Sequence, residues 1–222
     1  MAKNIHNFDH DQIFDLISKF DYAIYSSCKN SNGVQYVIMI LDYVKSYENL
    51  LSFFIEKIKP YVSDLIFDQY GVKIISKIIF QSSLPYVIFI FNFIFENYFK
   101  LAINKNSLNL VLNLHSYPNM FIQKKFLYLY KCNLKQFICD TDGCYFIQNI
   151  IMLGNMEINF ETTTLILNNF IEFAQHKFAS EVIEILIDFG HPCIRKQFID
   201  FPYHPKMIEI LLFDTNGNYS KI

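Results

Sequence analysis

Helix breakers are scarce in this chain of 222 residues, which has no tryptophan and only six prolines and six glycines. That scarcity suits packed helices with short connections. Abundant Ile, Phe, Asn, Lys and Tyr without Trp reads as the mark of an AT-rich genome, so some of the 24 phenylalanines say nothing about function. The formal charge is −2, with no basic tail or block of like charge to announce nucleic acid or an anionic membrane. Five cysteines (Cys28, Cys132, Cys139, Cys144, Cys193) include no CxxC pair. Their odd number and scattered spacing fit reduced thiols better than a disulfide framework. His191 and Cys193 fall short of the four converging ligands that structural zinc requires, so no metal is expected. GxGxxG, P-loop and HExxH signatures are all missing, and the six histidines are scattered. His176 and Glu184, eight residues apart, belong to the repeat pattern described next, and no enzyme is expected.

The most apolar run, Leu84 to Phe95, is interrupted by Asn92 and is too short to span a bilayer. Ser82 and Ser83 can cap its start, and Pro85 fits a first helical turn. A helix apolar on all sides is expected between neighbours, as the middle helix of a stacked repeat. Residues 1–9 are polar, lack a signal-peptide core and are expected to be a flexible N-terminus.

A period organises the rest. Gly71, Ser107, Gly143 and Ala179 follow one another at intervals of 36, with Gly33 lying 38 before the first and Gly217 lying 38 after the last. Six residues before each of the four stand Leu65, Leu101, Phe137 and Phe173; five before stand Ile66, Ala102, Ile138 and Ala174. Three after are Ile74, Leu110, Phe146 and Val182, four after are Ile75, Val111, Ile147 and Ile183, and seven after are Ile78, Leu114, Ile150 and Leu186. Every position is apolar, and offsets of three, four and seven make one helical stripe. A fixed period of this size marks a solenoid of stacked helical units. Each unit reads as a helix leading in, a short turn and a second apolar helix. The turn often carries an Asx residue three before the small one (Asp68, Asn104, Asp140, Asp214), placed to cap the second helix.

The segments DQYGVKIISKII (68–79), DTDGCYFIQNII (140–151), HKFASEVIEILI (176–187) and DTNGNY (214–219) resemble the Pumilio (PUF) repeat family. The resemblance covers residues 10–222 as one repeat domain, a short and partly degenerate member. It implies an all-α, armadillo-like, right-handed solenoid of about six three-helix repeats, crescent shaped, binding single-stranded RNA on its concave face at one base per repeat. Residues one and five after the small residue share a helical face and can reach one base edge, while the residue two after can stack between bases. In the fourth repeat the trio is Cys144, Tyr145 and Gln148, similar to an adenine reader; in the fifth it is Ser180, Glu181 and Glu184, similar to a guanine reader. In the sixth, Asn218 and Tyr219 resemble the start of a uracil reader, with Ile222 where the family has Gln. The second repeat offers Lys73 and Ser76 beside Val72, and the third has Leu108, Asn109 and Leu112, which cannot read an edge. The first is open by one residue: Val34, Gln35 and Ile38, or Gln35, Tyr36 and Met39.

With RNA antiparallel to the repeats, as in that family, the last three units would read 5′-U-G-A-3′. The resemblance implies a cytoplasmic, monomeric regulator without cofactor, binding UG-containing sites in messenger RNA 3′ untranslated regions for translational repression or decay. Deadenylation or repression factors would dock on its convex face. Two other readings remain open: a divergent nucleolar Pumilio-like ribosome-assembly factor, and a protein-interaction scaffold that has lost RNA. The sixth repeat stops inside its second helix, which predicts either a fragment of a longer protein or an unfinished last helix.

Overall fold

The computed structural model describes residues 10–19 and 21–200, and among them every regular element is helical. They form α1 (His10–Lys19), α2 (Asp21–Cys28), α3 (Gly33–Val44), α4 (Glu48–Ile58), a 3₁₀ turn at Lys59–Tyr61, α5 (Val62–Leu65), α6 (Gly71–Gln81), α7 (Leu84–Glu96), α8 (Tyr98–Ala102) and α9 (Leu108–Leu114). Then come α10 (Met120–Cys139), α11 (Thr141–Met152), α12 (Met156–Asn168), α13 (Phe170–Gln175), α14 (Lys177–Phe189) and α15 (Pro192–Asp200). The chain divides into two compact units, at Met1–Val111 and Leu112–Ile222.

The repeat is a long helix, a short one and an inner helix, as in α4–α5–α6, α7–α8–α9 and α12–α13–α14. In the fourth repeat the first two are fused into the 20-residue α10. The periodic apolar columns are the core: none of their side chains is more than 9% exposed.

The small residue opening the inner helix lies against the main chain of its own repeat at Gly33, Gly71, Ser107 and Gly143. A Cβ added to Gly33 would stand 2.5 Å from the Ser27 carbonyl oxygen, one on Gly71 would stand 2.6 Å from that of Leu65, and one on Gly143 would stand 2.5 Å from that of Phe137. Each carbonyl lies six residues back. At Ser107 the hydroxyl donates to the corresponding Leu101 carbonyl at 2.8 Å. Close approach, not backbone conformation, therefore sets residue size here; the positive φ in the described chain belongs to Gly154, at 76°.

Asx capping recurs as expected. Asp68 accepts from the Gly71 N–H at 2.8 Å, Asn104 from that of Ser107 at 3.3 Å and Asp140 from that of Gly143 at 2.8 Å. Asn30 does the same for Gly33 at 3.2 Å. In the fifth repeat His176 takes the place, its Nδ1 accepting from the Ala179 N–H at 3.4 Å. Asp214, Gly217 and the rest of the sixth inner helix lie outside the described residues.

Two expectations for α7 need correction. Ser83 occupies the N-cap position, but no side-chain hydrogen bond caps the helix, and the Ser82 hydroxyl is buried without a partner. The helix is not enclosed on every side: Val87, Ile90, Phe91 and Ile94 are buried while Ile88 is 38% exposed. Its apolar content exceeds what one buried stripe needs.

Polar ties join neighbouring repeats at about one period. In the first unit Lys29 bonds Asp64, 35 residues on, at 2.8 Å; Tyr86 donates to Glu48, 38 back, at 2.6 Å; and the Asn106 amide donates to the Phe67 carbonyl, 39 back, at 2.7 Å. In the second, Lys135 meets Glu172 at 3.1 Å, and Tyr130 bonds Thr162 at 2.5 Å inside the core. Thr162 already donates to the Ile158 carbonyl at 2.8 Å, so the tyrosine is the donor in that pair. Among the described residues the cysteines are free, no cluster of His, Cys, Asp and Glu could hold a metal, and no helix is long and apolar enough to cross a membrane.

His115 sits in the second unit's core with its ring 5.2 Å from Phe126 and 6.2 Å from Phe146. Burial lowers its pKa to about 4, so it is neutral at pH 7. The unfolded chain takes up this proton near pH 6.5 and the folded one does not. Stability should therefore fall as pH drops from 6.5 towards 4, by about 3 kcal/mol in total. Urea unfolding of wild type and His115→Phe across that range should show a steeper fall in wild type. Gly143→Ala should lose about 1–3 kcal/mol, because overlap with the Phe137 carbonyl outweighs the roughly 1 kcal/mol that Ala gains in an unobstructed helix. A raised or unchanged unfolding midpoint would contradict the close-contact account.

Candidate nucleic-acid interface

In the second unit α11 and α14 pack side by side. Each begins at a side-chain N-cap and buries its apolar stripe, so rotation about the helix axis is determined. The same face of each then carries the trio.

Tyr145 is 57% exposed, leaving its ring open to a planar partner. Gln148 is half-buried, Ser180 is half-buried, and Glu181 and Glu184 are exposed. Ser180 Oγ donates to the Lys177 carbonyl at 3.0 Å, which leaves its lone pairs as acceptors. Cys144 is 1% exposed, with Sγ 3.2 Å from the Phe178 carbonyl of the next repeat. Burial pushes its thiol up to about 11, so it stays protonated at neutral pH. It lines the seam between the helices rather than projecting from it.

The seam holds a contact that sequence reasoning missed. Gln148 Nε2 donates to Glu181 Oε2 at 3.2 Å and to Cys144 Sγ at 3.2 Å. The fifth residue after one small position thus meets the second residue after the next. The signal was available: on adjacent, similarly oriented helices these two positions lie on the facing diagonal. His176 was missed for a different reason, since a histidine is not an expected N-cap.

In the first unit α3 and α6 pack side by side. Asn30 caps at Gly33, which settles the open register of the first repeat as Val34, Gln35 and Ile38. Val34 and Val72 are buried, matching Cys144 one position after the small residue; Gln35 and Lys73 are exposed; Ile38 and Ser76 are half-buried. The Lys73 ammonium rests 5.6 Å from the Tyr70 ring centroid. Lys77 is paired with Asp42 at 2.9 Å. Partial burial works against the charge on Asp42, but hydrogen bonds from Lys77, Gln81 and Lys45 outweigh it and hold the carboxyl below its ordinary range. In the third repeat Leu108 and Leu112 are buried and Asn109 is exposed. Asn218 and Tyr219 lie outside the described residues.

No protein-family model matches the chain, and no curated protein matches it in sequence. Solved structures do match. The Puf4 RNA binding domain bound to an HO endonuclease RNA 3′ UTR recognition sequence aligns with a TM-score of 0.77 at 19% identity, over 96% of this chain and 67% of that one. The RNA-binding domain of yeast Puf5p bound to SMX2 RNA aligns at 0.70 and 22% identity, over 98% and 66%. PUF-8 in complex with PBE-RNA aligns at 0.68 and 20% identity, over 86% and 56%. The chain has the Pumilio-repeat fold, and it spans 56% to 67% of the length of these three.

Proposed function

We propose that this chain binds single-stranded RNA sequence-specifically through its inner helices, at one base per repeat, without catalysis. The observation that carries this reading is the placement of Gln148 and Glu184. They hold equivalent positions on the adjacent helices α11 and α14, where each can meet the edge of a successive base. Tyr145 supplies a stacking plane beside them. Glu184 with Ser180 suits the N1 and N2 donors of guanine, and Gln148 suits adenine. The RNA-bound Puf domains of like fold support the same ligand class.

The finer reading is UG-containing sites in messenger RNA 3′ untranslated regions, read 5′-U-G-A-3′ by the fourth to sixth repeats, with cytoplasmic repression or decay as the outcome. Lys73, Ser76, Asn218 and Tyr219 are the further candidate contacts. Stacking contributes roughly 1–3 kcal/mol per base, so two or three engaged bases give an affinity on the order of micromolar once strand ordering is included.

Protein scaffolding is the second reading, favoured by the two exposed carboxylates Glu181 and Glu184 on α14 and by the pairing of Lys77 with Asp42. Titration of UGA-containing and scrambled strands at two salt concentrations separates the two. Wild type should prefer the UGA strand by about tenfold or more, and Ser180→Ala/Glu184→Ala should lose that preference. Equal affinity for both strands with steep salt dependence would mean a backbone binder. Binding to neither would leave the scaffold.

A further inference from the structure

We infer that Glu181 sets the base preference of the fourth repeat by fixing the direction of the Gln148 amide; this rests on the RNA-binding reading above. A glutamine amide is ambiguous as a reader, because it can offer an acceptor or two donors. An ionised carboxylate is not ambiguous, since it only accepts. With Glu181 Oε2 3.2 Å from Gln148 Nε2, the amide must turn its NH₂ group towards α14. The same nitrogen also donates to Cys144 Sγ at 3.2 Å, and that sulfur lies 3.8 Å from Glu181 Oε2. That sulfur can accept because its own hydrogen is directed to the Phe178 carbonyl at 3.2 Å. The NH₂ group of Gln148 therefore faces the seam, which turns Oε1 away from it.

A carbonyl oxygen pairs with an exocyclic amino group. Adenine N6 and cytosine N4 provide one, whereas uracil O4 and guanine O6 are acceptors and would face Oε1 oxygen to oxygen. Turning the amide to suit a keto base would set Oε1 against the Glu181 carboxylate and break the contact with Cys144. The fourth repeat should therefore take amino-bearing bases over keto bases. Glu181 stands where the family resemblance implies a stacking residue, but it acts as a positioning residue for the neighbouring repeat. No resemblance to a base-reading pair contains this information, because the determinant lies in the next unit.

The test uses the full chain with 5′-U-G-N-3′ strands in which N is A, C, U or G, comparing wild type, Glu181→Gln and Glu181→Ala. Wild type should favour A and C over U and G by roughly tenfold, the worth of one well-made base-edge hydrogen bond. Both variants should reduce that ratio to within about threefold while keeping the unfolding midpoint. Full retention of the A/C preference in both variants would overturn the inference and leave RNA binding intact. Failure of wild type to distinguish U-G-A from a scrambled strand would instead remove the functional reading, and the inference with it. A measurement without RNA isolates the clamp itself. The Gln148 side-chain amide resonances should move on Glu181→Ala, and unmoved resonances would count decisively against it.

Discussion

The fold depends on one close contact: at Gly33, Gly71, Ser107 and Gly143 the first turn of the inner helix lies directly against a main-chain carbonyl six residues earlier. At Gly33, Gly71 and Gly143 the gap is too small for a methyl group, and at Ser107 it is bridged by a hydroxyl. The contact sets how near the inner helix lies to the short helix before it. With the N-cap three residues upstream, it also sets where the helix starts. Once start and depth are determined, the offsets three, four and seven drive the apolar stripe into the core and leave the second residue of each described trio exposed.

Within each compact unit, neighbouring repeats are then joined by polar contacts at about one period, a nearest-neighbour arrangement. This has a consequence for the candidate interface. The residues that could read bases are not idle: Gln148, Cys144 and Glu181 already satisfy one another. A ligand gains affinity only by what it adds to those bonds, because exchanging one hydrogen bond for another contributes little net free energy. Specificity at such a site comes from the groups that remain unsatisfied, which here are the Gln148 carbonyl oxygen, the Glu184 carboxylate and the Tyr145 ring.

The period, the buried columns and most of the caps were legible in the sequence because they are local. Asp68, Asn104 and Asp140 act on backbone three residues away, and the stripe from Ile74 to Ile78 lies within one helix. His176 was overlooked because its capping role needs an imidazole tautomer with a free Nδ1, a property that residue type alone does not carry. Ser83 was credited with a cap that it does not make. The burial of Cys144 was hidden for a different reason: its exposure depends on where Phe178 of the next repeat comes to rest.

Sequence alone determined that the chain would be a stack of similar helical units, and which residues of each unit would be apolar and inward, because both follow from periodicity along a single helix. Tertiary structure decided which polar side chains remain available. The turn of the Gln148 amide, the pairing of Lys77 with Asp42 and the retreat of Cys144 into a seam each depend on a residue in another repeat, brought within hydrogen-bond range only when the helices pack.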